Sequence, residues 1–122
     1  DAVKVQFVRD WIVRAFSRPS NESLKVNVDW LRNHTGSQQV IDEWLKYAEA
    51  NIAPDDVRTL VSEVAVRGMG APNEFKADWR LGRATMTARV TVGQGTPEWQ
   101  DETSPTANLT GLKITSALWG VK

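Results

Sequence analysis

Glu74-Phe75-Lys76-Ala77-Asp78-Trp79-Arg80-Leu81 alternates without a break: Phe75, Ala77, Trp79 and Leu81 fall on one side of an extended chain, the charged residues on the other. Only a strand with one buried and one wet face uses a period of two in this way. Gly82-Arg83 follows as a two-residue hairpin link. Beyond it Ala84, Met86, Ala88, Val90 and Val92 alternate with Thr85, Thr87, Arg89 and Thr91, a second strand turned back on the first. Working outward, Gly68, Gly70, Pro72 and Asn73 make a turn, and the β-branched, loosely alternating run from Val57 to Val66 predicts a strand with both faces partly covered. On the other side a loop from Gly93 to Ala107 precedes a last strand from about Leu112 to Val121. There Leu112, Ile114 and Leu118 are expected inside, and Lys113, Thr115 and Trp119 outside.

Before Pro54 the period is helical. Val5, Val8, Trp11, Ile12, Ala15 and Phe16 form one stripe of a helix over residues 3–16, ended by Arg18-Pro19 because the residue before a proline disfavours helical geometry. Leu24, Val28 and Leu31 mark a second helix, with Ser20 or Asn21 as its cap and Gly36 as its stop. Ser37 caps a third, whose apolar face is Val40, Ile41, Trp44, Leu45 and Ala48. Three helices followed by four antiparallel strands, with no long linker or repeat, predict one α+β domain over residues 1–122, its helices packed on one face of a curled sheet.

Composition restricts the function. The 122 residues carry 41% apolar side chains and six tryptophans, enough to build a core without metal or disulfide. Fifteen basic residues balance fifteen acidic ones, so no positive field exists to hold nucleic acid or an anionic bilayer. Cysteine is absent, which removes thiol catalysis and thiolate metal sites and is compatible with a reducing or an oxidising compartment. No apolar run approaches the roughly 18 residues of a membrane span. The chain opens at Asp1, directly before a helical pattern, as a segment cut from a longer protein would.

Chemistry has few candidates. His34, the single histidine, lies at the end of the second helix, where an imidazole also meets exposed carbonyls. Asp29 is the best-placed carboxylate for an enzyme of a cone-shaped fold, but a solvated helix position accounts for it better. The inward strand positions carry no acid or base. Gly68-Met69-Gly70 and Gly93-Gln94-Gly95 lack the pattern of a phosphate loop, and Asp55-Asp56 and Asp101-Glu102 lack the spaced oxygens of a calcium loop. No catalytic, cofactor or metal residues are therefore assigned. Asn21, Asn33 and Asn108 each begin an N-x-S/T sequon. Trp11, Trp44 and Trp79 sit on apolar faces, whereas Trp30, Trp99 and Trp119 are free to face outward and anchor a partner.

Asn108-Leu109-Thr110-Gly111-Leu112-Lys113-Ile114-Thr115 resembles the segment NPxGxxVT before the final strand of bacterial conjugation and type IV secretion proteins of the family of the eighth VirB component and TrbF. Gln6-Phe7-Val8-Arg9-Asp10-Trp11 and Asn27-Val28-Asp29-Trp30-Leu31 are similar to its first two helices, and the hairpin quoted at the outset looks like its central one. Leu109 stands where the family has proline, so only Asn108 and Gly111 carry over. The resemblance implies an NTF2-like (cystatin-like) cone outside the bacterial inner membrane, tethered by a preceding membrane helix. It also implies a non-enzymatic assembly factor that forms homo-oligomers and touches other secretion-channel subunits, with no cofactor and no direct nucleic-acid contact. Substitution of Asn108 or Gly111 is then expected to weaken self-association while the fold survives. The alternative is a ligand-binding or isomerase-type enzyme of the same fold, using Asp29 or His34.

Overall fold

The computed structural model describes residues 2–17, 21–51, 61–81, 84–97, 99, 103 and 106–120. Helices α1 (Ala2–Phe16), α2 (Asn21–Asn33) and α3 (Gln38–Asn51) precede strands β1 (Val61–Gly68), β2 (Glu74–Leu81), β3 (Ala84–Gln94) and β4 (Leu112–Trp119). The strands form a curled antiparallel meander in the order β1-β2-β3-β4. The fold is thus the expected α+β arrangement. The predicted start of the first strand at residues 57–60, the Gly82-Arg83 link, Ser20 and the pairs Asp55-Asp56 and Asp101-Glu102 lie outside the described residues.

The period-two reading of the central hairpin holds for its inward positions, whereas Thr87, expected on the outer face, is also buried, its hydroxyl donating to the Ala77 carbonyl at 3.2 Å. Leu81 pairs with Ala84, Trp79 with Met86, Ala77 with Ala88 and Phe75 with Val90. All are buried except Ala84, which is half-buried. Above this face lies α1, which contacts all four strands. Its buried stripe, Phe7, Val8, Trp11, Ile12, Ala15 and Phe16, fills the space between helix and sheet together with Trp79 and Met86. Each large apolar side chain so buried contributes roughly 1.5–3 kcal/mol.

Helix α3 starts as expected, the Ser37 hydroxyl accepting the Val40 N–H at 3.4 Å. It buries Val40, Ile41, Trp44 and Ala48 and leaves Leu45 at the edge of the stripe, 46% exposed rather than inside. Helix α2 stops at Asn33, before the expected Gly36. The reason is that residues 34–36 turn to pair with the sheet: Ile114 N–H donates to the His34 carbonyl at 2.9 Å and Gly36 N–H to the Ile114 carbonyl at 2.7 Å. This short parallel bridge covers part of the free edge of β4.

Both edge strands carry an irregularity, and each corrects an expectation. In β1 the register slips between Ser62 and Ala65, and Glu63 adopts a left-handed φ of 52°. The loose alternation therefore marks a bulged, half-exposed edge strand, not one with both faces partly covered. In β4, Thr91 faces Ser116 while Val92 faces Ile114, which leaves Thr115 as an extra residue. Alternation consequently changes phase within the strand. Leu112 and Ile114 are inside, then Ala117; Leu118, expected inside, is 57% exposed, and Trp119, expected outside, turns inward.

Candidate interaction site at the end of the second helix

Helix α2 ends beneath the long loop that joins β3 to β4, and the carbonyls of its last turn explain how the two are joined. Helices leave their last four carbonyls without intrahelical partners. Here all four are met. The Trp30 carbonyl lies 2.6 Å from His34 Nδ1, and the Leu31 carbonyl accepts from the Thr35 hydroxyl at 2.6 Å and from the His34 N–H at 3.1 Å. The Arg32 carbonyl accepts the Trp99 indole N–H at 2.8 Å, and the Asn33 carbonyl accepts Asn108 Nδ2 at 3.1 Å. Two of the four caps are thus supplied by a loop far away in sequence.

Asn108 organises that loop as well. It is buried, its Nδ2 also donates to the Leu112 carbonyl at 2.7 Å, and its Oδ1 accepts from Gly111 N–H at 2.9 Å and Thr110 Oγ1 at 3.1 Å. Gly111 takes a left-handed φ of 72°, with nothing near the position a Cβ would occupy. The backbone conformation alone, not crowding, calls for glycine there. Asn33 Nδ2 reaches the Thr106 carbonyl and Oγ1, each at 3.2 Å, a second tie across the same junction. The sequon asparagines Asn33 and Asn108 are therefore buried structural residues.

Beside this junction a layered ring cluster forms one wall of an open cleft. The Trp30 indole stacks on His34 with centroids 3.8 Å apart and planes 13° from parallel, and Phe7 lies 6.0 Å from the imidazole. The Arg14 guanidinium sits 4.7 Å from the Trp30 ring centre, and its Nη1 donates to Asn27 Oδ1 at 3.2 Å. Burial pushes the His34 pKa below its ordinary value and the Arg14 charge pushes the same way, against the opposing pull of the Trp30 carbonyl. His34 is accordingly neutral at pH 7. Because a carbonyl only accepts, Nδ1 carries the proton, and Nε2 is left as an acceptor. The cleft, of about 500 Å³, is bounded by Asp10 and Arg14 from α1, Val26, Trp30 and His34 from the α2 side, and Thr106, Ala107, Leu109 and Thr110 from the loop. Leu109 stands on its rim, 94% exposed.

The sequence candidates divide at this point. Asn108, Gly111, Trp30 and Trp99 come together around the end of α2. Trp30 is half-buried in the ring cluster, and Trp99, 40% exposed, acts as a helix cap with its indole N–H. Trp119 belongs elsewhere. Its ring stacks on Trp11 at 5.6 Å and on Tyr47 at 6.0 Å, so it is a partly buried side chain packed against the core, with one side bordering a shallow hollow between α3 and β4. Asp29 is exposed on α2 and does not border the cleft, whereas His34 does. Among the described residues no group of three His, Cys, Asp or Glu side chains is placed to hold a metal ion, and no helix is long and apolar enough to cross a membrane.

Sequence reasoning missed Arg14, Asn33 and Thr35. Thr35 is wholly buried and accepts the Trp11 indole N–H at 3.2 Å while donating to Leu31. Nothing local announces these roles, since Trp11 lies 24 residues and Thr106 73 residues away along the chain from their partners. Comparison of the chain with models of protein families, with curated proteins and with solved structures found no match.

Proposed function

We propose that this chain is a non-enzymatic assembly domain of a bacterial conjugative type IV secretion machine, related to the eighth VirB component and TrbF, and that it works through protein contacts. On this reading the curled sheet and its helices are an NTF2-like cone on the outer side of the inner membrane, held there by a membrane helix preceding Asp1. Its partners are further copies of itself and other channel subunits.

One observation carries the reading. The turn from Asn108 to Gly111, the segment on which the resemblance rests, is fixed from within by Asn108 and lifts an apolar side chain, Leu109, almost wholly into solvent. A turn so built holds a contact residue in place before any partner arrives, which lowers the ordering cost of association. In-frame deletion of the gene tests the function. Conjugative transfer should fall to background and return on complementation, and a photo-crosslinking residue at position 109 should capture a secretion subunit. Undiminished transfer by the deletion strain overturns the reading.

A further inference from the structure

The cleft beside the ring cluster is bordered by three polar groups whose bonding capacity is not used up. His34 is the first. It is 2% exposed, its Nδ1 is committed to the Trp30 carbonyl, and its Nε2 accepts from no group among the described residues, although the ring borders the cleft. An acceptor in so dry a place gains from any donor that enters the cleft. Asp10 and Arg14 are the other two. They lie four residues apart on α1, the spacing at which opposite charges on a helix ordinarily meet. Here they do not meet. Asp10 Oδ1 accepts from Gln6 Nε2 at 2.8 Å, Arg14 turns to Asn27 and the Trp30 ring, and neither has an ion pair among the described residues. An acid, a base and a neutral acceptor thus border one cleft of about 500 Å³, inside the roughly 300–1,000 Å³ range of small-molecule sites.

Their spacing selects the occupant. Four residues of helix advance about 6 Å, and two residues of extended chain span about 7 Å. A free amino acid, with ammonium and carboxylate on one carbon, is too short to meet both charges. A dipeptide is long enough, and its single peptide N–H lies between its two charged ends. The rest of the wall is largely apolar, with Trp30 half-buried and Val26 and Leu109 51% and 94% exposed, so it favours apolar side chains.

We infer that this cleft binds a short peptide of dipeptide length with free ends and apolar side chains: Asp10 takes the ammonium, Arg14 the carboxylate, and His34 Nε2 the peptide N–H. Arg14 is prepared for that part. Asn27 and the Trp30 ring already hold its side chain, so little freedom is lost on binding, and only Nη1 is engaged, which leaves its other donors for a carboxylate.

Titration of the isotope-labelled 122-residue chain with leucyl-leucine, followed by NMR, tests this, with circular dichroism as a check of folding. Leucyl-leucine should bind and should move the His34 Nε2 resonance. Blocking either end, as N-acetyl-leucyl-leucine or leucyl-leucine amide, should weaken binding about tenfold or more, because each removes a charge-assisted hydrogen bond, and free leucine should bind at least as poorly. Asp10→Asn, a change at an exposed position that leaves the fold intact, should bind leucyl-leucine about as weakly as wild type binds the acetylated peptide, and should bind the acetylated peptide no worse than wild type does. An unmoved His34 resonance at the solubility limit of leucyl-leucine, blocked peptides or free leucine that bind as well as leucyl-leucine, or an Asp10→Asn variant equal to wild type overturns the inference. The transfer experiment is independent of these outcomes, since a chain required for transfer that ignores dipeptides keeps the proposed function and loses this site.

Discussion

Asn108 carries a resemblance in the sequence, and in the structure it also has a structural role. Its amide closes the turn before β4 and caps the Asn33 carbonyl of α2 at the same time. Asn108→Ala leaves buried carbonyls without donors and should destabilise the fold by about 2–3 kcal/mol in urea unfolding. That outcome differs from the expectation that the fold survives, and a stability equal to wild type would show that these hydrogen bonds do not hold the turn. Position was legible here and role was not, because the carbonyl Asn108 caps is 75 residues away in sequence. His34 is the converse case. Its placement at a helix end was readable, and its Nδ1 does meet the carbonyl four residues back. Its burial among Trp30, Phe7 and Arg14 was not, since those rings come from two helices. A histidine whose folded pKa lies below its unfolded value of about 6.5 stabilises the fold above that value, and the contribution is lost as pH falls through the folded pKa. Urea unfolding between pH 7.5 and 5 should therefore show wild type losing stability more steeply than His34→Gln. Parallel curves would mean that the imidazole gains its proton equally well in both states.

At the scale of elements, the period of apolar residues determined type and order correctly because a face of helix or strand is a local property of sequence. It failed where a neighbouring strand sets the geometry. The bulge at Thr115 leaves no mark in its own strand; its requirement is written in the glycines opposite. A Cβ on Gly93 would lie 2.4 Å from Thr115 Cγ2, and one on Gly36 3.3 Å from it. The methyl group of the extra residue thus nests between two positions that have no side chain. Gly93→Ala should cost about 1–3 kcal/mol by overpacking. Thr115→Ser removes that methyl and keeps the hydroxyl that donates to the Thr91 carbonyl at 3.2 Å. In the double variant the clash disappears, so its stability should match Thr115→Ser alone, a coupling of about 1 kcal/mol or more in a double-mutant cycle. Additive losses would place the strain of Gly93→Ala somewhere other than the Thr115 methyl.

For the whole molecule, α1 is the element that makes helices and sheet one unit, and Trp11 is its centre. Its indole N–H reaches Thr35, and its ring meets Trp44 edge-on at 5.8 Å and stacks on Trp119. Trp11→Phe should cost about 2 kcal/mol, from lost ring area and the lost hydrogen bond. In wild type, unfolding followed by tryptophan fluorescence and by far-ultraviolet circular dichroism should coincide, whereas separated transitions would show helices leaving an intact sheet. The polar outer face of the hairpin and the balance of charges were plain in the sequence, though not the burial of Thr87 within that face. The cleft was not, because three separate stretches of chain build it. The phase change in β4 has a last consequence for how this sequence tolerates change in length. Inward positions of the strand are even-numbered up to Ile114 and odd-numbered from Ala117 onward. The strand therefore keeps a parity, and Thr115 is the residue that switches it. Loss of Thr115 itself would remove the bulge, join the two halves into one unbroken alternation and keep Trp119 beneath α1, whereas loss of one residue elsewhere in the strand would turn every position beyond it to the other face. A change of one residue in the length of the last strand should therefore be tolerated at Thr115 and nowhere else in it.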